Sequence, residues 1–188
     1  MAVMSTSERL IESTRELLWE RGYVGTSPKA IQQRSGVGQG SMYHHFDGKP
    51  DLARAAISRT AAQMRAQIDA QLSRPGTAME RITGYLRRER DVLKGCAIGG
   101  LTQDPEIIAD DSLRQPVDET LRWLRGRLAE VLAQGRDQGE IAATLDPAAT
   151  ATAVVAVLQG GYVLARAAGS AEPFTVAVDG ILGLLASA

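Results

Sequence analysis

Apolar residues return every three or four positions along nearly the whole chain, and no stretch alternates at a period of two between hairpin turns. That pattern calls for helices and argues against a sheet as the main architecture. Leu10, Ile11, Thr14, Leu17, Leu18 and Tyr23 open the series, and Val176, Val178, Ile181, Leu182 and Leu185 close it. Glycine and proline punctuate the periods between. The first helix is expected over about 8–21, with Ser7 as a candidate cap and Gly22 as its stop. A second begins at Thr26 or Ser27, takes Pro28 into its first turn and ends before Gly36. A third, about Gln39–His44, is followed by a fourth that starts near Lys49–Pro50. Further helices are expected over about 77–93, 103–111, 117–138, 147–168 and 174–185, with a glycine-rich break at Gly95–Gly100. The fold class is therefore all-α, about nine helices.

Composition narrows the functions available. Of 188 residues, 44% are hydrophobic and 23% charged, the balance of a folded globular chain. The single cysteine, Cys96, forbids an internal disulfide, and the only histidines are the neighbours His44 and His45. Adjacent helix positions diverge by roughly 100°, so that pair makes a poor metal site. No metal and no cofactor are expected. An enzyme would need a convergent polar set, and the histidines, the cysteine and the scattered carboxylates do not supply one. The first twenty residues are rich in Glu and Arg, unlike a secretory leader. Ala151–Ala165 is apolar but broken by Thr152, Gln159, Gly160, Gly161 and Tyr162, which reads as a buried helix and no membrane span. A cytoplasmic location is expected.

Charge is distributed unevenly. Residues 1–60 carry a net of +2 and residues 61–188 a net of −3, for a total of −1. The direction suits an N-terminal nucleic-acid module on a neutral to acidic body. We expect a DNA-binding domain over residues 1–50 and a helical effector-binding and dimerisation domain over residues 51–188.

The second and third helices are separated only by Ser35–Gly36–Val37–Gly38, the spacing of a helix-turn-helix. Such a unit lays its second helix in the major groove. Met42 and Phe46, four apart, should pack inward with Val37, leaving Gln39, Gly40, Tyr43 and His44 outward. Glutamine can pair bidentately with an adenine edge. Gly40 leaves room for close backbone approach, Tyr43 offers a hydroxyl and a ring, and His44 a donor to phosphate. His45 is expected behind the reading surface. Lys49, Thr26 and Ser27 stand at helix starts, where charge and free amides meet phosphates; Ser27 can cap its helix as well.

The residues Gly22-Tyr23-Val24-Gly25-Thr26-Ser27, Ile31, Gly36-Val37, Gly40 to Phe46, Lys49 and Leu52 together resemble the TetR family of bacterial transcriptional regulators. The resemblance covers about residues 8–57 and is most specific in Tyr43-x-His45-Phe46-x-x-Lys49. It implies a homodimeric repressor on a palindromic double-stranded operator, released by a small, mostly apolar effector. An activator, or a regulator without a ligand, has the same motif. Two positions depart from the family pattern: Gly38 stands where a capping Ser or Thr is common, and Gln39 where a Lys is common. The stretch around Gly95-Cys96 also resembles an LmrA/YxaF-like subgroup.

In the body, Met79, Ile82, Tyr85, Leu86, Cys96, Leu101, Trp123, Gln159 and Tyr162 are the effector candidates, each of which can equally be plain core. Gln103 is a further polar candidate. The expected dimer interface is a four-helix arrangement from the last two helices, through Val154, Val155, Leu158, Ile181, Leu182 and Leu185.

Overall fold

A computed structural model describes residues 4–186. Among them are nine α-helices: α1 (Thr6–Arg21), α2 (Pro28–Ser35), α3 (Gln39–His45), α4 (Lys49–Leu72), α5 (Ala78–Leu86), α6 (Pro105–Ala109), α7 (Asp111–Asp137), α8 (Pro147–Ala168) and α9 (Glu172–Ala186). A 3-10 turn over Gly99–Gln103 precedes α6. The all-α expectation holds.

The chain condenses into two compact units. One comprises the chain up to Gln63 together with Ala97–Thr120; the other comprises Met64–Cys96 together with the chain from Leu121 onward. In the first unit, α1 starts on a reciprocal cap: Ser5 accepts from the Glu8 backbone and the Glu8 carboxylate accepts from the Ser5 N–H. The cap is therefore Ser5 and not Ser7. Ser27 caps α2 through Ala30 N–H, and Pro28 follows where no donor is needed. Gly36 closes α2 with φ 63°, a left-handed conformation costly to any side chain, and so sets the turn into α3. Leu10, Leu17, Ile31, Val37, Met42 and Leu52 fill this unit's core, with Ala30 and Phe46 packed against it. Arg9 Nη2 donates to Ser35 carbonyl at 2.5 Å, and Arg34 pairs with Glu20 at 2.8 Å, so α1 holds the end of α2 at two adjacent residues.

Residues far along the chain complete this unit. One Asp104 oxygen caps α6 through the Glu106 and Ile107 N–H groups, at 3.1 and 3.4 Å. The other accepts from the Tyr23 and Val24 N–H groups at 2.7 and 2.9 Å. A single carboxylate thus ties the loop between α1 and α2 to the start of α6.

The second unit is built on Ile68, Leu72, Ile82, Leu86, Leu128, Val131 and Leu132, with the inner faces of α8 and α9. The expected helix over 77–93 stops at Leu86. Arg90 folds back and donates to the Tyr85 and Leu86 carbonyls at 2.5 and 3.0 Å, satisfying acceptors that another helical turn would have used. Conversely, α7 starts six residues before Val117 because Asp110 caps it through Ser112 N–H at 2.8 Å, and Pro116 is absorbed inside.

Candidate nucleic-acid interface and effector site

In the first unit, α3 divides cleanly. Met42 is fully buried, while Gln39, Gly40, Ser41, Tyr43 and His44 are exposed. Tyr43 is an exposed aromatic with 51% of its surface free, anchored by a helix whose other face is core. The rest of that face needs no side chain at Gly40: a Cβ there would meet nothing within 4 Å. Packing within the protein thus gives no reason for a glycine at this position, where it weakens the helix. Gly38 caps α3 without a side-chain bond.

Three expectations change. Thr26 is 1% exposed, and its hydroxyl donates to Gly22 carbonyl at 2.6 Å. It pins the loop and does not face a phosphate. His45 is exposed, its ring edge-on to His44 at 5.1 Å, and not packed behind the helix. Lys49 lies with its ammonium 3.7 Å from the centroid of the Tyr23 ring, half-buried, so its charge is held at the base of α4 and not extended into solvent. Ser27 remains exposed beside the first turn of α2. Burial, with Glu106, Asp110 and Asp104 nearby, raises the Tyr23 hydroxyl above its ordinary pKa.

In the second unit, the structure gathers part of the effector set. Ile82, Tyr85, Leu86 and Tyr162 are buried together in one core, and Met79, Cys96 and Trp123 pack partly buried against it. Gln159 is half-buried on α8. Leu101 does not join them, because it is buried in the first unit within the 3-10 turn, where Gln103 is exposed. Arg90 Nη1 meets the Tyr162 hydroxyl at 3.2 Å, and the guanidinium stands 5.3 Å from the Phe174 ring centroid. Arg88 stands 5.4 Å from the Tyr85 ring centroid. Burial drives the Tyr85 hydroxyl far above its ordinary pKa, against the pull of Arg88 and Arg90, and raises Tyr162 as well. Sequence reasoning missed Arg88, Arg90 and Phe174. The one available signal was the dense run Arg87-Arg88-Glu89-Arg90 immediately past the last apolar residue of the α5 stripe.

The interface expectation is also corrected. Val154, Val155, Leu158, Ile181, Leu182 and Leu185 are all buried inside the single chain, where α8 and α9 pack on each other and on their own core. The large apolar residues these helices leave exposed are Val163, Leu164, Val176 and Leu184. Among the described residues α8 is the one helix long and apolar enough to cross a membrane by length and composition. Seven of its residues are buried in this core.

Two short helices around a tight turn, steadied by a third and presenting an aromatic and amide face, define a helix-turn-helix DNA-binding protein with an added helical body. Sequence comparison agrees on both parts. The profile of bacterial regulatory proteins of the tetR family matches residues 10–56, and that of the tetracyclin repressor-like C-terminal domain matches residues 72–181. The chain belongs to the TetR family of DNA-binding transcriptional regulators. Among curated relatives, it is 25% identical over 169 residues to an uncharacterized HTH-type transcriptional regulator in the lacX 3' region of Lactococcus lactis, covering 86% of this chain and 84% of that one. It is 23% identical over 189 residues to the Escherichia coli HTH-type transcriptional repressor NemR, covering 97% and 94%. The reduced form of NemR superposes with a TM-score of 0.83, covering 94% of each chain. A TetR-family regulator from Agrobacterium tumefaciens superposes with a TM-score of 0.86 at 24% identity, covering 96% and 97%.

Proposed function

We propose that the protein is a homodimeric repressor that binds a palindromic operator through α3 and leaves it when a small, largely apolar effector enters the helical body. The observation that carries this reading is the division of α3. A buried Met42 and a core-packed Phe46 hold out Gln39, Gly40, Tyr43 and His44, a base-reading and phosphate-contacting set on a surface without a protein partner. Ser27 and the first turn of α2 add amide donors for the backbone; Lys49 contributes its field from over Tyr23. Residues 1–50 are the reading head in this account, and residues 51–188 carry effector binding and dimerisation.

The second copy docks on the outer faces of α8 and α9, where Val163, Leu164, Val176 and Leu184 are exposed. A two-fold dimer matches a palindrome and sets the spacing of its two recognition helices. The effector acts by favouring a spacing that no longer fits the groove, a population shift that needs only a few kcal/mol of differential affinity. Its body is taken up by the apolar set around Ile82, Tyr85, Leu86 and Tyr162. A role on chromosomal DNA implies a cytoplasmic protein, and the likeness of the Gly95-Cys96 segment to LmrA/YxaF-like regulators supports that subgroup.

The test is fluorescence anisotropy with DNA flanking its own gene across a salt series. Saturation at two protomers per half-site pair, resistant to random competitor, is expected, with log K falling by about 0.9 per neutralised phosphate per decade of salt. Tyr43→Ala is expected to lose operator affinity with dimerisation intact. Binding that random DNA removes equally, or an unchanged Tyr43→Ala affinity, refutes the assignment.

A further inference from the structure

Past the end of α5, the run Arg87–Arg90 lines a cleft of about 450 Å³ against the first turns of α9, within the range of small-molecule sites. Its three guanidiniums are not equivalent. Arg87 is paired with Asp179 at 2.9 Å. Arg90 is spent on the Tyr85 and Leu86 carbonyls and the Tyr162 hydroxyl. Arg88 has no such partner: its Nε is buried with no hydrogen-bond acceptor, and its guanidinium carbon lies 5.4 Å from the Tyr85 ring centroid. A ring face offers the cation some attraction but accepts none of its five donors in the plane of the fork. A buried donor left unsatisfied is a standing cost, and because Arg88 lines the cleft, a turn of its side chain toward an acceptor there would remove it.

The remaining walls specify the rest of the ligand. Leu86, Val92, Phe174 and Val178 are apolar and contiguous with the core. The charged groups facing the cleft are the three arginines, Glu89 and Asp179, which leaves one positive charge uncompensated. A monoanion neutralises it; a dianion would stand in excess beside two carboxylates. A planar carboxylate also matches the guanidinium fork in two parallel bonds.

We propose that this cleft binds an aliphatic monocarboxylate, its carboxylate on the Arg88 fork and its chain along Leu86, Val92, Phe174 and Val178. The proposal rests on the effector reading above for its regulatory meaning and on Arg88 alone for its chemistry. It adds a charged head to an otherwise apolar effector.

The experiment is calorimetric titration of the full-length protein with octanoate, 1-octanol and octyl phosphate. Octanoate is expected to bind about ten- to a hundred-fold more tightly than 1-octanol, the value of a charge-assisted pair, and more tightly than octyl phosphate. Arg88→Gln is expected to lose that advantage while binding 1-octanol unchanged, and Arg88→Lys to recover part of it. Arg88 has no hydrogen bond or ion pair to lose, only its approach to the Tyr85 ring, so the melting temperature of ligand-free Arg88→Gln is expected to fall by no more than a few degrees, which separates loss of the site from loss of the fold. Equal binding of octanoate and 1-octanol, preference for octyl phosphate, or full octanoate affinity in Arg88→Gln overturns the proposal. Arg88-dependent octanoate binding that leaves operator affinity intact upholds the site and refutes effector release. Operator release by other compounds, with no octanoate binding, does the reverse.

Discussion

Removing the Asp104 carboxylate is expected to weaken the first unit more than any other single surface-level truncation in it. Four N–H groups converge on that side chain: Glu106 and Ile107 in the first turn of α6, and Tyr23 and Val24 in the loop before α2. In Asp104→Ala the lost cap costs about 1 kcal/mol. The Tyr23 N–H is part-buried and donates to a charged oxygen at 2.7 Å, so losing its acceptor adds about 1.5–3 kcal/mol. The Val24 N–H is exposed and rehydrates, adding little. The total is about 2.5–4 kcal/mol, or a melting temperature lower by roughly 5–15 °C for a chain of this size. Asp104→Asn separates the two halves of the argument. Asparagine caps α6 well but presents one oxygen where the carboxylate used two, so it should recover the cap and forfeit the loop, with about 1.5–3 kcal/mol still lost. Thermal melts followed by circular dichroism measure both. A loss below about 1 kcal/mol in Asp104→Ala, the average for any substitution, refutes the claim that this carboxylate holds the loop. So does an Asn variant as damaged as the Ala variant.

Two further outcomes follow from the same geometry. Gly40→Ala places a methyl where nothing stands within 4 Å, so the protein should gain about 0.5–1 kcal/mol while operator affinity falls; unchanged affinity in the anisotropy assay would remove the close-approach role. Tyr85 is buried with its pKa raised above the ordinary value of 10.0. Below that value both folded and unfolded chains keep the proton, and above it the unfolded chain releases its proton first. Stability should therefore fall as pH rises past about 10, by up to about 1.4 kcal/mol per pH unit from this residue. Urea midpoints at pH about 8 and about 11 should show a smaller alkaline loss in Tyr85→Phe; parallel losses in the two proteins would contradict the burial argument.

The head was legible because its instructions are local. Ser27, Pro28 and Gly36 start and stop α2 within a few residues of where they act, and Met42 with Phe46 orients α3 by its own periodicity. What escaped was decided at a distance. The expected apolar face runs on past Leu86 to Leu93, yet α5 ends at Leu86, where a guanidinium takes its last carbonyls. Thr26 looked like a phosphate donor because a threonine at a helix start often is one, and only the path of the loop shows its hydroxyl occupied. Asp104 falls inside the helix expected over about 103–111, and nothing near it in the sequence points to its capping role or to Tyr23.

The faces of α8 and α9 show the same limit in its sharpest form. A helix with polar residues on one side declares which side is core, whereas α8 is apolar or small almost all round. Periodicity then predicts that the helix is covered on more than one side without saying which residues meet which cover. Val154, Val155 and Leu158 turn out to serve the protomer's own core, as do Ile181, Leu182 and Leu185 on α9. Val163, Leu164, Val176 and Leu184 are left over, each between 53% and 67% exposed. Exposure of that much apolar surface is costly for a monomer in water and is what a second copy would relieve. The inner set should thus respond to truncation as core residues do, whatever the oligomeric state, while the outer set should matter only where two chains meet.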